Sequence, residues 1–251
     1  MALDAGSRCG VAMSIAPGPV GNGLLTMLPD ADWQRWLPQL ERVALPAGRV
    51  LHAPGVASEY VYFPTTAIVA LLYVTEDGGS AEVAVVGNEG VVGVAAILGG
   101  RSTPAHAVVQ IAGQALRMAS QSLTNEFNQS APVAHLLLRY TQALMVQVAQ
   151  TAVCNRHHSL DQRLSRWLLL NLDRVQGSEL AMTQESIANA LGVRREGVTE
   201  AALRLQKACL IHYSHGRITV LDRSGLERRT CECYAVLRKE RDRLLPEAVE
   251  D

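Results

Sequence analysis

At 251 residues, 48% of them hydrophobic, the chain can bury one large core or two smaller ones, and no apolar run reaches the ~18 residues that a membrane-spanning helix needs. Its five cysteines, Cys9, Cys154, Cys209, Cys231 and Cys233, are odd in number and irregularly spaced, which excludes a disulfide framework and suits a reducing, cytoplasmic location. The net charge of −1 hides a gradient: residues 1–153 carry 7 Lys/Arg against 10 Asp/Glu, whereas residues 156–229 carry 12 against 8, an excess of the sign that a polyanionic partner requires.

In chain order, residues 1–23 are rich in Gly, Ala and Pro. They lack a hydrophobic segment with a cleavage site, so a disordered leader is expected rather than a secretion signal. Leu24, Leu25, Met27, Leu28, Trp33, Trp36, Leu37 and Leu40 then mark a short helical entry. From about residue 43 to 120 the texture is β-rich. Runs at 48–52, 60–63, 67–74, 81–86 and 107–111 are separated by Gly55, Gly78-Gly79, Gly87, Gly90, Gly93 and Gly99-Gly100. Many short strands with such turn signals predict a sandwich or jelly roll, here spanning 24–130.

The period changes at Pro132. Between there and Arg156 no glycine interrupts the chain, and Val133, Leu137, Tyr140, Leu144, Val148 and Thr151 recur every three or four residues. A helix of about 25 residues is about 37 Å long, more than one jelly roll needs as a cover. Its narrow stripe predicts a two-helix seam with a second copy, over 131–157, through Leu137, Tyr140, Leu144, Val148 and Thr151. His157-His158-Ser159 breaks the pattern, and Leu160, Leu164, Trp167, Leu168 and Leu172 start a new helix.

Residues 183–211 are the most informative stretch. Ile187 and Leu191 mark one buried helical face, Gly192 supplies the left-handed turn, and Val198, Ala201, Ala202 and Leu205 form a second apolar stripe. That is a helix-turn-helix whose second helix offers Arg195, Glu196, Thr199 and Glu200 from its outer side. Arginine can donate two hydrogen bonds to guanine, and glutamate can accept from cytosine N4. Residues 211–214 and 217–221 alternate at period two around His215-Gly216, a hairpin placed as a wing. Thr183, Arg194 and Arg217 are then candidates for phosphate contacts. A winged helix-turn-helix is expected over 158–222. Over 223–251, Leu226, Tyr234, Leu237 and Leu244 space an amphipathic C-terminal helix and tail, which packs on the domain or contacts DNA or RNA polymerase.

A β-roll, a long central helix and a winged helix-turn-helix together resemble the Crp/Fnr family of bacterial transcription regulators, over about residues 24–222. The likeness rests on Arg163-Leu164-Ser165 with Leu168-Leu169, on Thr183 through Gly192, on Arg195-Glu196 with Val198, and on Leu210-Ile211 leading to His215-Gly216-Arg217. It implies an α+β chain: an N-terminal cyclic-nucleotide-binding-like jelly roll, a long dimerisation helix and a C-terminal winged helix-turn-helix. It also implies a homodimer on an inverted-repeat, double-stranded DNA operator, with Arg195 and Glu196 as base readers. Where family members have a further arginine, this chain has Glu200.

The departures bear on cofactors. The turn that holds ribose through a glutamate in cyclic AMP binders is here Gly93-Val94-Ala95, and the phosphate-binding Arg-Ser pair falls near Pro104-Ala105. Cyclic AMP is therefore not expected. A cyclic dinucleotide held by Arg49, Arg101 and Arg117 stays open, as does a β-roll without ligand. Cys9 is alone at its end of the chain, against an iron–sulfur cluster of the oxygen-sensing type. Cys154-x-x-His157-His158 and Cys231-x-Cys233 each offer part of a zinc site, but neither shows a paired second half, so no metal is expected. No nucleophile–base arrangement or phosphate loop suggests an enzyme. The alternative to a regulator is a ligand-binding scaffold with a vestigial helix-turn-helix.

Overall fold

The computed structural model describes residues 21–246. Most of the expected leader, and Cys9 with it, lies outside them, but its end is earlier than the composition implies. Asn22 is fully buried, donating to Pro64 O at 2.8 Å and Gly90 O at 2.9 Å while its Oδ1 accepts from Leu25 N. Asn22 thus caps α1 (Gly23–Thr26), which α2 (Asp30–Trp36) follows.

Seven strands build the roll: β1 (Glu41–Leu45), β2 (Val50–His52), β3 (Tyr60–Pro64), β4 (Ile68–Val74), β5 (Ser80–Val86), β6 (His106–Ile111) and β7 (Gly113–Ala119). They form two antiparallel sheets, β1-β7-β3 and β2-β6-β4-β5. Five match the alternating runs of the sequence. β1 and β7 do not stand out there, because Glu41, Arg42 and Arg117 interrupt the apolar pattern; on the sheet Arg117 pairs with Glu41 at 2.7 Å and lies over the Tyr60 ring. Gly113 sits where the two sheets meet: an added Cβ would come within 2.4 Å of Ala67 N, so only glycine lets the backbones approach. The core between the sheets and their helical cover includes Trp36, Phe63, Leu116, Met118, Leu123 and Leu137. Each such side chain contributes about 1.5–3 kcal/mol on burial.

After α3 (Ser120–Gln129), Ser130 caps α4 (Ala131–His157), and Pro132 lies in its first turn, where the missing N–H costs nothing. His158 is extended, and Ser159 opens α5 (Leu160–Leu172) with a capping box to Gln162. The remaining elements are β8 (Glu179–Ala181), α6 (Gln184–Leu191), α7 (Arg195–Lys207), β9 (Ile211–Ser214), β10 (Arg217–Val220), α8 (Arg223–Arg229) and α9 (Glu232–Leu244). The wing is a three-stranded sheet, β8-β10-β9. The single C-terminal helix expected after the wing is two helices, broken at Thr230, whose extended backbone ends α8. Leu226, Tyr234, Leu237 and Leu244 are buried, as their spacing implies.

The two halves are joined face to face. Ile68 and Val85 of the roll belong to the same buried cluster as α5, α6 and α7. Polar ties reinforce it: Trp167 Nε1 donates to Glu82 at 3.0 Å, Arg174 pairs with Glu89 at 2.7 Å, and Gln147 donates to Val85 O at 3.1 Å. Leu244 and Leu245, at the end of α9, reach back into the core of the roll. No helix among the described residues is long and apolar enough to cross a membrane.

Candidate nucleic-acid interface, sensory pocket and cysteine cluster

Thr183 accepts from Ser186 N at 3.1 Å as the cap of α6, and Gly192 ends that helix at φ 62°, the left-handed turn its sequence position requires. Arg163 donates to Leu191 O, closing the open C-terminal end of α6. Ile187, Leu191, Val198, Ala201, Ala202 and Leu205 are all buried, so the two stripes meet in one core. α7 is thereby held with Arg194 at its N-cap and Arg195, Glu196 and Glu200 exposed.

A groove separates this end of α7 from the wing; Thr183, Gln184, Arg195, Tyr213, His215 and Gly216 are among its lining residues. His215 and Gly216 both have positive φ, 49° and 74°, the two-residue turn whose twist matches a hairpin. The expected readers are not equivalent. Thr199 has its hydroxyl between Gln184 Oε1 at 2.9 Å and Arg195 O at 3.0 Å, so it ties α7 to α6. Glu200 lies 3.7 Å from Arg204, which Asp161 holds in turn. Arg217 pairs with Glu179 on the neighbouring strand. Gln184, in the groove wall, is a residue that the sequence reading passed over.

In the roll, a cavity of about 290 Å³ is lined by His52, Leu71, Gly93, Val94, Pro104 and Ala105 among others. Gly93, Val94, Pro104 and Ala105 are the positions matched above to the ribose and phosphate turns. Gly93 (φ 111°) opens the turn beneath it, where an added Cβ would strike His52 and Val61. Among the described residues its one titratable lining group is His52, which donates to Tyr60 O at 2.9 Å and whose pKa burial lowers, favouring the neutral ring. Arg49, Arg101 and Arg117 are not among the lining residues.

Part of the seam expected on the long helix is already covered within the single chain. Leu137 and Tyr140 are buried in the roll, Tyr140 donating to Val91 O at 3.0 Å, and Thr151 is buried against Arg166. Leu144 is half-buried against the sheet core; of the five, Val148 alone is exposed. The free apolar face is rotated from the expected one. Leu138, Met145 and Val148 are exposed along one side, Met145 the most at 67%, and Val153 is exposed on a neighbouring side.

The absence of a second half for either cysteine group is corrected, since each is the other's second half. Cys154 and His158 at the end of α4, with Cys231 and Cys233 at the start of α9, place their ligand atoms within 4.8 Å of one another. His157 is exposed and takes no part. These four residues could hold a metal ion.

A family model for the cyclic nucleotide-binding domain matches residues 42–130, and one for the Crp-like helix-turn-helix domain matches residues 162–229. The chain belongs to the Crp/Fnr family of transcription regulators. Among curated proteins it is similar to the global nitrogen regulator of Synechococcus elongatus, 25% identical over 217 residues, covering 83% of this chain and 97% of that one. Among solved structures it resembles a Crp/Fnr-family regulator from Eubacterium rectale, with TM-score 0.64, 21% identity and coverage of 82% and 96% of the two chains. It also resembles FixK2 from Bradyrhizobium japonicum, with TM-score 0.66, 19% identity and coverage of 76% and 98%. A Crp/Fnr regulator binds DNA through the helix-turn-helix built here by α6 and α7, and is not an enzyme.

Proposed function

We propose that this Crp/Fnr regulator works as a homodimer on an inverted repeat, each protomer laying α7 in a major groove while its wing tip meets the backbone. The observation that carries the reading is the free, charged N-terminal end of α7 beside a groove walled by the wing. Arg195 donates to guanine and Glu196 accepts from the cytosine of a G·C pair. Arg194 and the N-terminus of α6 at Thr183 serve phosphate oxygens. Glu200 offers no donor, so the half-site departs from the arginine-containing members of the family beyond the Arg195–Glu196 pair. The second copy covers the exposed Leu138, Met145 and Val148, which follow one another at the seven- and three-residue spacing of a two-helix seam. In this scheme the roll extends to residue 130, the dimer helix over 131–157, and the DNA-binding domain over 158–222.

The roll, on this reading, does not answer to cyclic AMP. A phosphate anion in a cavity without a cation is left unpaired, which is costly, whereas leucine, valine and two hydroxyl side chains suit an uncharged small molecule. The same argument counts against a cyclic dinucleotide, with its two phosphates, in that cavity.

Selection of bound sequences from a random DNA pool tests the DNA reading. Wild type is expected to return an inverted repeat with half-sites about 10–10.5 bp apart, centre to centre. Arg195→Ala loses the preference at one base pair and about 1–3 kcal/mol on the best site. An unchanged motif from Arg195→Ala overturns the placement of α7 in the groove.

A further inference from the structure

We propose that Cys154, His158, Cys231 and Cys233 bind one zinc(II) ion, which fastens the C-terminal helix to the hinge between the long helix and the DNA-binding domain. The site joins segments more than seventy residues apart in sequence. Three of its ligands are buried sulfurs that form a cluster of their own, outside the hydrophobic cores.

The spacing fits a single tetrahedral ion. With Zn–S near 2.3 Å and Zn–N near 2.0–2.1 Å, tetrahedral angles put two sulfurs about 3.8 Å apart and a sulfur and a nitrogen about 3.5 Å apart. Cys154 Sγ stands 3.6 Å from Cys231 Sγ, and Cys233 Sγ stands 3.5 Å from His158 Nδ1. An iron–sulfur cluster would interpose its own iron and sulfide between the cysteine sulfurs, and sulfurs in mutual contact leave it no room. Four protein ligands and no open position describe a structural site rather than a catalytic one.

The surroundings are those of a metal site. His158 Nε2 faces the Glu232 carboxylate at 3.2 Å. A proton held there leaves the Nδ1 lone pair directed at the sulfurs, the carboxylate–histidine–zinc arrangement. Gln150 Nε2 donates to Cys233 Sγ at 3.1 Å, a bond suited to a thiolate. Three thiolates around a dication leave one negative charge, since binding releases the three thiol protons to solvent. A cation is at hand: Arg166 is buried, its Nε has no hydrogen-bond partner among the described residues, and its charge acts on Cys154.

The position gives the ion its role. Cys154 and His158 flank the point where α4 ends and the chain turns into α5, while Cys231 and Cys233 begin α9, which returns to the core of the roll at Leu244 and Leu245. One ion therefore closes a loop through hinge, DNA-binding domain and roll.

The test is elemental analysis of the full-length protein purified anaerobically under thiol reductant, followed by X-ray absorption at the metal edge. One zinc per chain with a first shell of three sulfurs and one nitrogen is expected. Cys154→Ser and Cys231→Ser should lose the zinc, whereas Cys209→Ser, at an exposed cysteine outside the cluster, should keep it. If the serine variants do not fold, chelation of the wild type and refilling with cobalt(II) keeps the proposal open to refutation. The intense visible bands of a tetrahedral, thiolate-rich cobalt site are expected, displaced by one equivalent of zinc. Absence of metal after zinc reconstitution, iron with acid-labile sulfide, or a Cys154–Cys231 disulfide in the anaerobic protein would each overturn it.

Discussion

Glu82 is the sharpest place to perturb the junction between the roll and the DNA-binding domain. Its carboxylate accepts from Trp167 Nε1 at 3.0 Å and from Gln110 Nε2 at 2.7 Å, with the guanidinium groups of Arg166 and Arg174 near enough to act on it. Burial nevertheless outweighs these four and pushes its pKa from the ordinary 4.5 up to about 7. In the interval between those values the folded chain keeps a proton that the unfolded chain has lost, so stability falls as pH rises. Below the interval both states are protonated and nothing is lost. Above it both are ionised, and the whole penalty, on the order of 3 kcal/mol, is present.

Glu82→Gln removes the ionisation and keeps the shape. Gln110 Oε1 is buried without a hydrogen-bond partner among the described residues, so a flipped Gln110 amide can accept from the new side-chain N–H while Trp167 still donates to the oxygen. The variant should be about as stable as wild type at pH 5 and more stable by up to about 3 kcal/mol at pH 8. Urea denaturation of both proteins at intervals from pH 5 to 8 reads the difference, in which the histidines common to both cancel. A difference that stays flat across that range refutes the argument, because Glu82 would then be ionised in the fold at no cost.

Met145→Glu puts an unpaired charge into the proposed seam, at a cost of several kcal/mol, so sedimentation should find monomer; a persistent dimer puts the interface elsewhere. Gly90→Ala would set a Cβ 2.3 Å from the Tyr140 ring, and such overpacking should cost about 1–3 kcal/mol in denaturation, against no cost if the ring can swing away. Calorimetry should detect no cyclic AMP binding tighter than about 10 µM, near −7 kcal/mol, and saturable heat in that range would return the phosphate to the pocket. Arg194→Ala should weaken binding to all DNA sequences alike and lower the salt slope by about one, whereas a change in selected motif would make Arg194 a base reader.

What could be read from the sequence follows from how local each signal is. The turn at Gly192 and the stripe from Val198 to Leu205 lie close together in sequence, and each is set by the φ or the 3.6-residue period of its own helix. They came through intact. The long helix spans the expected residues 131–157, but its period does not say which face meets the roll. Leu137 and Leu138 are adjacent and chemically identical, and only the roll packed against Leu137 decides which of them is left exposed. A stripe gives the period of a helix and not its phase when two partners compete for it. β1 was missed for a related reason: Arg117 and Glu41 satisfy each other across strands, a pairing invisible until β7 lies beside β1.

The cysteine cluster is the instructive failure. Searching each segment for its own second pair assumes that a zinc site is a local motif, as it is in fingers and ribbons. Here the halves are supplied by the ends of two helices. His157 and His158 stand three and four residues after Cys154, so the helical period puts both on its side and does not choose between them. The choice is made where α4 ends: His157 is exposed, whereas His158 leaves the helix in extended backbone beside the cysteines. The other half of the site could be found only through the packing of α9, whose buried side carries Cys233, Tyr234 and Leu237, on the end of α4. The residues that locate the site are thus the same ones that anchor the helix, so a change that frees α9 should release the metal as surely as loss of a ligand.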